Sequence, residues 1–306
     1  MIFEMRLLGN YTTFQTILKS KLFMNKIAMP LLLLAVLMTT QASFAQSEKS
    51  VIDKIYNAIY SAKKVEYVMS SSERFNGKFI NKNMFFRIYA SPKKVYMKDK
   101  DTGVELLYVA GWNDGKAFIN PNGFPWVNVS LDIFGARVRK DGHHTILHAG
   151  FGYVTTLLKY VERELASRGK ALTDQVQVKG ELTWNGRSCI RLVMSDPSFS
   201  YKQHTCTKSE TLHDFAERNN LSEYMIMEKN GLQYGARLSS GQSITIPTAF
   251  AKEVVLYVDK ENYLPIVQMI YDDKGLFEKY EFRDLKINPN TASNEWTTQC
   301  ASYGFQ

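Results

Sequence analysis

Apolar positions follow a helical period in two long stretches of this chain and a period of two through most of the remainder. Ile52, Ile55, Tyr56 and Ile59 recur on one face of residues 47–62, with Ser47 or Ser50 as cap, and predict a first helix. From Val65 to Leu131 short alternating runs take over. Met84, Phe86, Ile88 and Ala90 fall on one face, and Phe85, Arg87 and Tyr89 on the other. Asn76-Gly77, Asp101-Thr102-Gly103, Asn113-Asp114-Gly115 and Asn122-Gly123 separate these runs as hairpin turns, which predicts an antiparallel sheet. A second helix is expected over 148–167, where Val154, Leu157, Leu158, Val161 and Leu165 form a stripe and Gly169 supplies a stop. Strands return at 175–184 and 188–194 around Asn185-Gly186, then at 253–258, 264–271 and 276–287. In the last of these, Leu276, Tyr280 and Phe282 alternate with Lys279, Glu281 and Arg283, so one face is wet.

The sheet pattern breaks between Asp196 and Ala251. Within the break, Ser209-Glu210-Thr211 opens a helix carrying Leu212, Phe215 and Ala216, and a second short helix includes Met225, Ile226 and Met227. Gly241-Gln242 then precedes the alternating Ile244-Thr245-Ile246, closed by Pro247. A small β-α-α-β unit over 201–249 is predicted. Thr211-Leu212, Phe215-Ala216, Leu221, Asn230 and the ending at Leu238–Pro247 resemble the LysM domain, a module that binds N-acetylglucosamine glycans such as peptidoglycan and chitin. The resemblance places sugar between Ser209, Glu210, Thr211 and Leu212 on one lip and Asn230, Gly231 and Leu232 on the other. Ser209-Glu210 stands where that family has Gly-Asp, and Gly231 where it has Pro; both departures touch the groove.

Tyr108, Gly111, Trp112, Asn113, Asp114 and Gly115, with Gly150 before a helix, resemble an exported bacterial family catalogued as domain of unknown function 1571, over roughly 50–195 and again over 252–287. The order helix, hairpins, helix, strands is similar to periplasmic lipoprotein carriers of the LolA type. That resemblance implies an α+β fold in which a curved, half-barrel-like antiparallel sheet is covered by helices and accepts acyl chains.

Export changes how the composition is read. Met24-Asn25-Lys26, an apolar run from Ile27 to Leu37 and small residues at Ser43 and Ala45 match a secretory signal cleaved after Ala45, with Met24 as a candidate start. The run is shorter than the about 20 residues a bilayer span needs. Residues 1–45 carry net +3, and removing that from the formal +8 leaves +5 for the mature chain, a mild excess suited to an anionic surface. No dense Lys/Arg block marks a nucleic-acid footprint. Three cysteines remain in an oxidising compartment; Cys189 and Cys206 are the pair to test for a disulfide, and three small buried thiols is the other reading.

Sequence marks no catalytic motif. His144 and His148 are four apart, but they make a metal pair only if the helix starts early; solvated loop and helix-cap roles are expected for His143, His144 and His148. Trp112 and Trp126 suit either stacking on sugar or filling the core, and core filling is the expected role. The chain therefore divides as signal 1–45, an α+β domain over 46–200 continued at 250–290, an inserted LysM module at 201–249, and a tail at 291–306. The expected function is a non-catalytic envelope protein without cofactor or metal, binding peptidoglycan or a related glycan through the module and a lipid, lipoprotein or protein partner through the larger domain. The alternatives are a LysM-targeted wall hydrolase and a structural envelope protein.

Overall fold

A computed structural model describes residues 48–305; the expected signal segment lies outside the described residues. Among them, eleven strands form one antiparallel sheet in the order β6-β5-β4-β3-β2-β1-β15-β14-β13-β8-β7. The strands are β1 (Lys64–Phe75), β2 (Lys78–Tyr89), β3 (Lys94–Asp99), β4 (Glu105–Val109), β5 (Ala117–Asn120) and β6 (Val129–Leu131), followed by β7 (Val176–Trp184), β8 (Arg187–Ser195), β13 (Glu253–Asp259), β14 (Pro265–Asp272) and β15 (Gly275–Ile287). Each half is a meander of hairpins. The halves join at the centre, where β1 pairs with the last strand, β15. Asn76-Gly77 and Asn185-Gly186 turn two of the hairpins with both residues at positive φ, the conformation a two-residue turn needs to match strand twist.

Side-chain alternation gives the sheet an inner apolar face. Tyr67, Phe86, Ile88, Val95, Leu192, Leu256, Ile270, Tyr280 and Phe282 are all buried. Two helices lie over the β7–β8–β13 side of that face. In α1 (residues 48–61), Val51, Ile52 and Ile55 are buried; in α3 (Gly152–Ala166), Leu158 and Leu165 are, and they share one cluster with Val176, Ile190, Leu192, Leu256 and Val258. The expected helix stripes are thus the packed ones. Helix α3 starts later than 148, because Ile146–His148 is a 3-10 turn and Gly150 follows at φ +89°. A four-residue helix, α2 (Ala136–Arg139), precedes it.

The break in the sheet is a β-α-α-β unit with strands of its own. Strand β9 (Tyr201–Thr205) pairs with β12 (Ser243–Pro247), and a short β10 (Glu210–Thr211) with β11 (Arg237–Leu238), around α4 (Leu212–Asn219) and α5 (Glu223–Asn230). Tyr201 sits opposite Pro247, so the unit leaves and re-enters the sheet at one place, between the paired ends Ser195 and Glu253. Thr211 and Ser222 cap the two helices by accepting from Asp214 N and Met225 N. The unit shares its core with the larger body: Phe215, Tyr224 and Ile226 belong to the cluster that holds Tyr67, Phe86 and Phe277.

The structure takes the second of the two cysteine readings, and it corrects the expectation for the tryptophans. Cys189 and Cys206 do not pair; with Cys300 they are buried free thiols, because Cys189 faces the sheet core and Cys206 is bound into the β9–β12 loop through Gln242 O and Gly241 N. Trp112 and Trp126 are 50% and 74% exposed, since both stand on hairpin loops rather than on the inner face. The tail is a packed strap. Tyr303 stacks on Tyr96 at 3.7 Å, its hydroxyl accepts from Arg87, and Glu295 binds Lys64 at 2.6 Å across the outer face.

Candidate functional site: an apolar hollow with a polar waist

The inner face and α3 enclose a hollow with two lobes. The larger has a volume of about 370 Å³. Its walls are the α3 stripe (Val154, Leu157, Val161, Leu165), the strand residues Val176, Leu192, Met194, Val254, Leu256 and Ile270, and Phe250 at one end. The smaller, about 180 Å³, lies over β1–β4 between Tyr67, Met69, Met84, Phe86, Met97, Leu106 and Ile146. His144, Tyr153, Val154, Gln268 and Tyr280 line both and form the waist between them.

The waist is polar because two carboxylates stand on the apolar face. Glu73 and Glu278 are directly opposed on β1 and β15, and both are buried. Like charges so placed repel unless each is neutralised. Glu278 has His143 Nδ1 at 2.8 Å and His144 Nε2 at 2.9 Å; Glu73 accepts from the Tyr280 hydroxyl and, at 3.2 Å, from the His143 backbone N–H. Burial opposes charge on Glu278, but the two imidazoles hold its carboxyl well below the usual carboxylate range. Burial likewise opposes charge on His144, and Glu278 outweighs it and raises the imidazole's pKa. His148 is lowered, first by burial, although Glu217 lies 3.1 Å from its Nε2. The Nδ1 atoms of His144 and His148 are 3.2 Å apart.

His143 connects the sheet to the β-α-α-β unit. Its ring is stacked between Tyr224 of α5 at 4.2 Å and Phe277 of β15 at 4.4 Å, and its Nε2 meets Arg74 O at 3.1 Å. Arg139, buried as well, binds Glu223 of α5 at 2.8 Å and donates to His143 O. These contacts correct the expectation of solvated loop histidines: the turn 142–150 folds inward over the sheet because two buried carboxylates lie beneath it. Among the described residues no group of three or more His, Cys, Asp and Glu side chains is arranged to hold a metal ion. A glycosidase acid needs a raised carboxyl pKa, and Glu278 is shifted the other way with both oxygens engaged.

Neither lobe is lined by the residues that sequence assigns to a glycan groove. Leu212 is fully buried, and its N–H donates to Ala236 O. Glu210 is paired with Arg218, and the Thr211 hydroxyl is spent on the helix cap. Asn230 joins α5 to β12, donating to Thr245 O and accepting from Thr245 N at 2.8 Å. Ser209 accepts from Ser240 N. Gly231 is exposed at a left-handed C-cap, and Leu232 is half-buried against the core. The structure therefore gives Thr211, Leu212 and Asn230 folding roles and leaves Ser209 and Gly231 at the surface. Sequence reasoning missed Glu73, Glu278, Tyr153 and Tyr280. The available signal was a carboxylate in phase with apolar neighbours: Glu278 shares its face with Tyr280 and Phe282, and Glu73 with Tyr67 and Met69.

Solved structures similar to this chain include LprF from Mycobacterium bovis (11% identity, 82% of this chain and 97% of that chain, TM-score 0.40) and the Mycobacterium tuberculosis lipoprotein LppX (8%, 80% and 98%, 0.38). MucB is another (12%, TM-score 0.37); the match takes in 82% of this chain and 62% of MucB's length. No curated protein matches the chain. A family model does, over residues 62–225, a span that runs past β8 into α5. With more than half of its 306 residues matched, the chain belongs to the family described as Protein of unknown function (DUF1571).

Proposed function

We propose that this chain is an exported, non-catalytic protein of the cell envelope that carries an apolar ligand, the acyl chain of a lipid or lipoprotein, in its two-lobed hollow. The observation that carries this reading is the facing of two apolar surfaces, the α3 stripe and the inner strands, across about 370 Å³ of unfilled space. A packed core leaves few voids larger than a water molecule, whereas ligand clefts of about 300–1,000 Å³ with a few polar groups are typical binding sites. At the waist His144 is bonded to Glu278, Tyr280 to Glu73 and Gln268 to Pro265 O, which suits holding a chain by shape rather than reacting with it. The N-terminal signal pattern supports export, and among the described residues no helix is long and apolar enough to cross a membrane.

Native mass spectrometry of protein purified from envelope fractions tests the reading: a lipid-sized mass increment is expected that disappears on denaturation. Val161→Trp, which fills the larger lobe, should abolish that increment and the uptake of a fluorescent palmitate analogue. Unliganded wild-type protein that also takes up no palmitate analogue would overturn the proposal.

A second reading concerns the β-α-α-β unit, which we propose binds N-acetylglucosamine glycan between the 209–212 and 230–232 segments. It is supported by the LysM-like motif together with the unit's own strand pairing and capped helices. Since Leu212 and Asn230 are committed to the fold, backbone groups and Ser209 would make the sugar contacts. Pelleting with peptidoglycan sacculi, without release of soluble fragments, is the expected result. Release of fragments would favour a hydrolase, and failure to pellet would remove the glycan role.

A further inference from the structure

His144 of the waist and its neighbour His148 can be counted for protons from geometry alone. Nε2 of His144 faces Glu278 at 2.9 Å, Nε2 of His148 faces Glu217 at 3.1 Å, and the two Nδ1 atoms face each other at 3.2 Å. An ionised carboxylate only accepts, so both Nε2 atoms carry protons. Two nitrogens within hydrogen-bond distance share one proton between them. The pair therefore holds three protons and a single positive charge.

This bridge ties three parts of the fold together: β15 through Glu278, the turn 142–150 through both histidines, and α4 through Glu217. The same turn walls the smaller lobe with Gly142, Thr145, Ile146 and Gly150. His148 also lies flat on Tyr153 of α3 at 3.8 Å. Facing the pair are Glu73, Glu278 and Tyr280 from the sheet, Tyr153 from α3, Glu217 and His213 from α4, Arg139 from the preceding segment and His143 from the turn itself, with Glu223 of α5 acting on Tyr153. Lys93 holds the far end of the turn at Ala149 O. The carboxylates accommodate one charge on the pair. A second imidazolium would set two N–H groups against each other at the Nδ1 contact, and that contact must part.

We propose that this three-proton bridge is the latch of the hollow, closing the turn 142–150 over the apolar ligand near neutral pH and releasing it when a fourth proton enters. The proposal rests on the carrier reading above and supplies its regulation.

The first test needs no ligand. Nitrogen-15 spectra of the imidazoles at pH 7.5 should show three protonated nitrogens and one unprotonated nitrogen across His144 and His148. The protection of the 142–150 amides, taken relative to the intrinsic exchange rate at each pH, should fall on acidification in the wild type and not in His148→Phe, which keeps the stacking on Tyr153 but cannot form the bridge. With the fluorescent palmitate analogue, affinity should fall about tenfold between pH 7.5 and pH 5, the change linked to a one-unit pKa difference between bound and free states. Glu217→Gln, which removes the carboxylate that favours a charged His148, should move the release to lower pH. That variant keeps the proposal testable if His148→Phe does not fold. Two neutral or two charged rings at pH 7.5, a zinc ion taken up between the Nδ1 atoms in place of the proton, or undiminished acid release by His148→Phe would each overturn the latch. If the probe binds at no pH, the carrier reading falls, and the latch is then decided by the spectra and the exchange data.

Discussion

Glu278 has no exposed surface, and among the described residues its ion-pair partners are two imidazoles, His143 and His144. Removing one partner of such a buried set leaves the others desolvated and unpaired, at a cost of about 3–5 kcal/mol. Glu278→Ala is expected to lower the unfolding free energy by about that amount in a denaturant titration, whereas Lys170→Ala, on the exposed loop after α3, should change it by about 0.5 kcal/mol or less. The pH dependence follows from the shifts. Glu278 is depressed, so its stabilisation is present above about pH 4.5, its ordinary value, and is lost as pH falls through the folded value. His144 is raised from 6.5, so its stabilisation is complete below that value and is lost as pH rises through the higher folded value. His148 is lowered and acts in the opposite sense, favouring unfolding as pH drops below 6.5. Stability measured against pH should therefore be flattest around pH 6.5 and fall steeply toward pH 3. A Glu278→Gln variant should lose most of the acid limb.

At the scale of elements, strands and helices were largely legible, because alternation and helical stripes are local and the structure packs the same faces that the pattern selected. Met84, Phe86 and Ile88 face inward as their spacing required, and the α3 stripe lines the hollow. What was illegible depended on contacts far apart in the chain. The start of α3 is set by the inward turn over Glu278, and the histidines in that turn acquire partners on β15 and α4, 134 and 69 positions away. The strap at 291–305 carries no periodic signal and gains its order from Tyr96 and Lys64. Leu158 of α3 is buried. Leu158→Ala should cost about 2–5 kcal/mol in thermal or denaturant unfolding. Tyr303→Ala should loosen the strap and raise proteolytic cleavage after residue 290, with about 2–4 kcal/mol lost.

At the scale of the whole molecule, the β-α-α-β unit is an insertion by connectivity and a structural member by contact. Its ends meet at Tyr201 and Pro247, but Tyr224 stacks on His143 and Glu223 neutralises Arg139. Replacing 201–247 by a short turn is therefore expected to leave Arg139 stranded and to lower the melting temperature markedly, an outcome that calorimetry would check. A unit attached only by its strands would leave the melting temperature unchanged.

The pairing of β1 with β15 also has a consequence for biogenesis. A chain is synthesised amino end first, and the middle of this sheet stays open until the segment around Gly275–Ile287 has emerged. Until then the tyrosines and phenylalanines of the early hairpins stand uncovered, beside a long strand edge awaiting its neighbour. The interval is one of exposure to aggregation, and a chain cut short anywhere before that final strand has two half-sheets with nothing to join them.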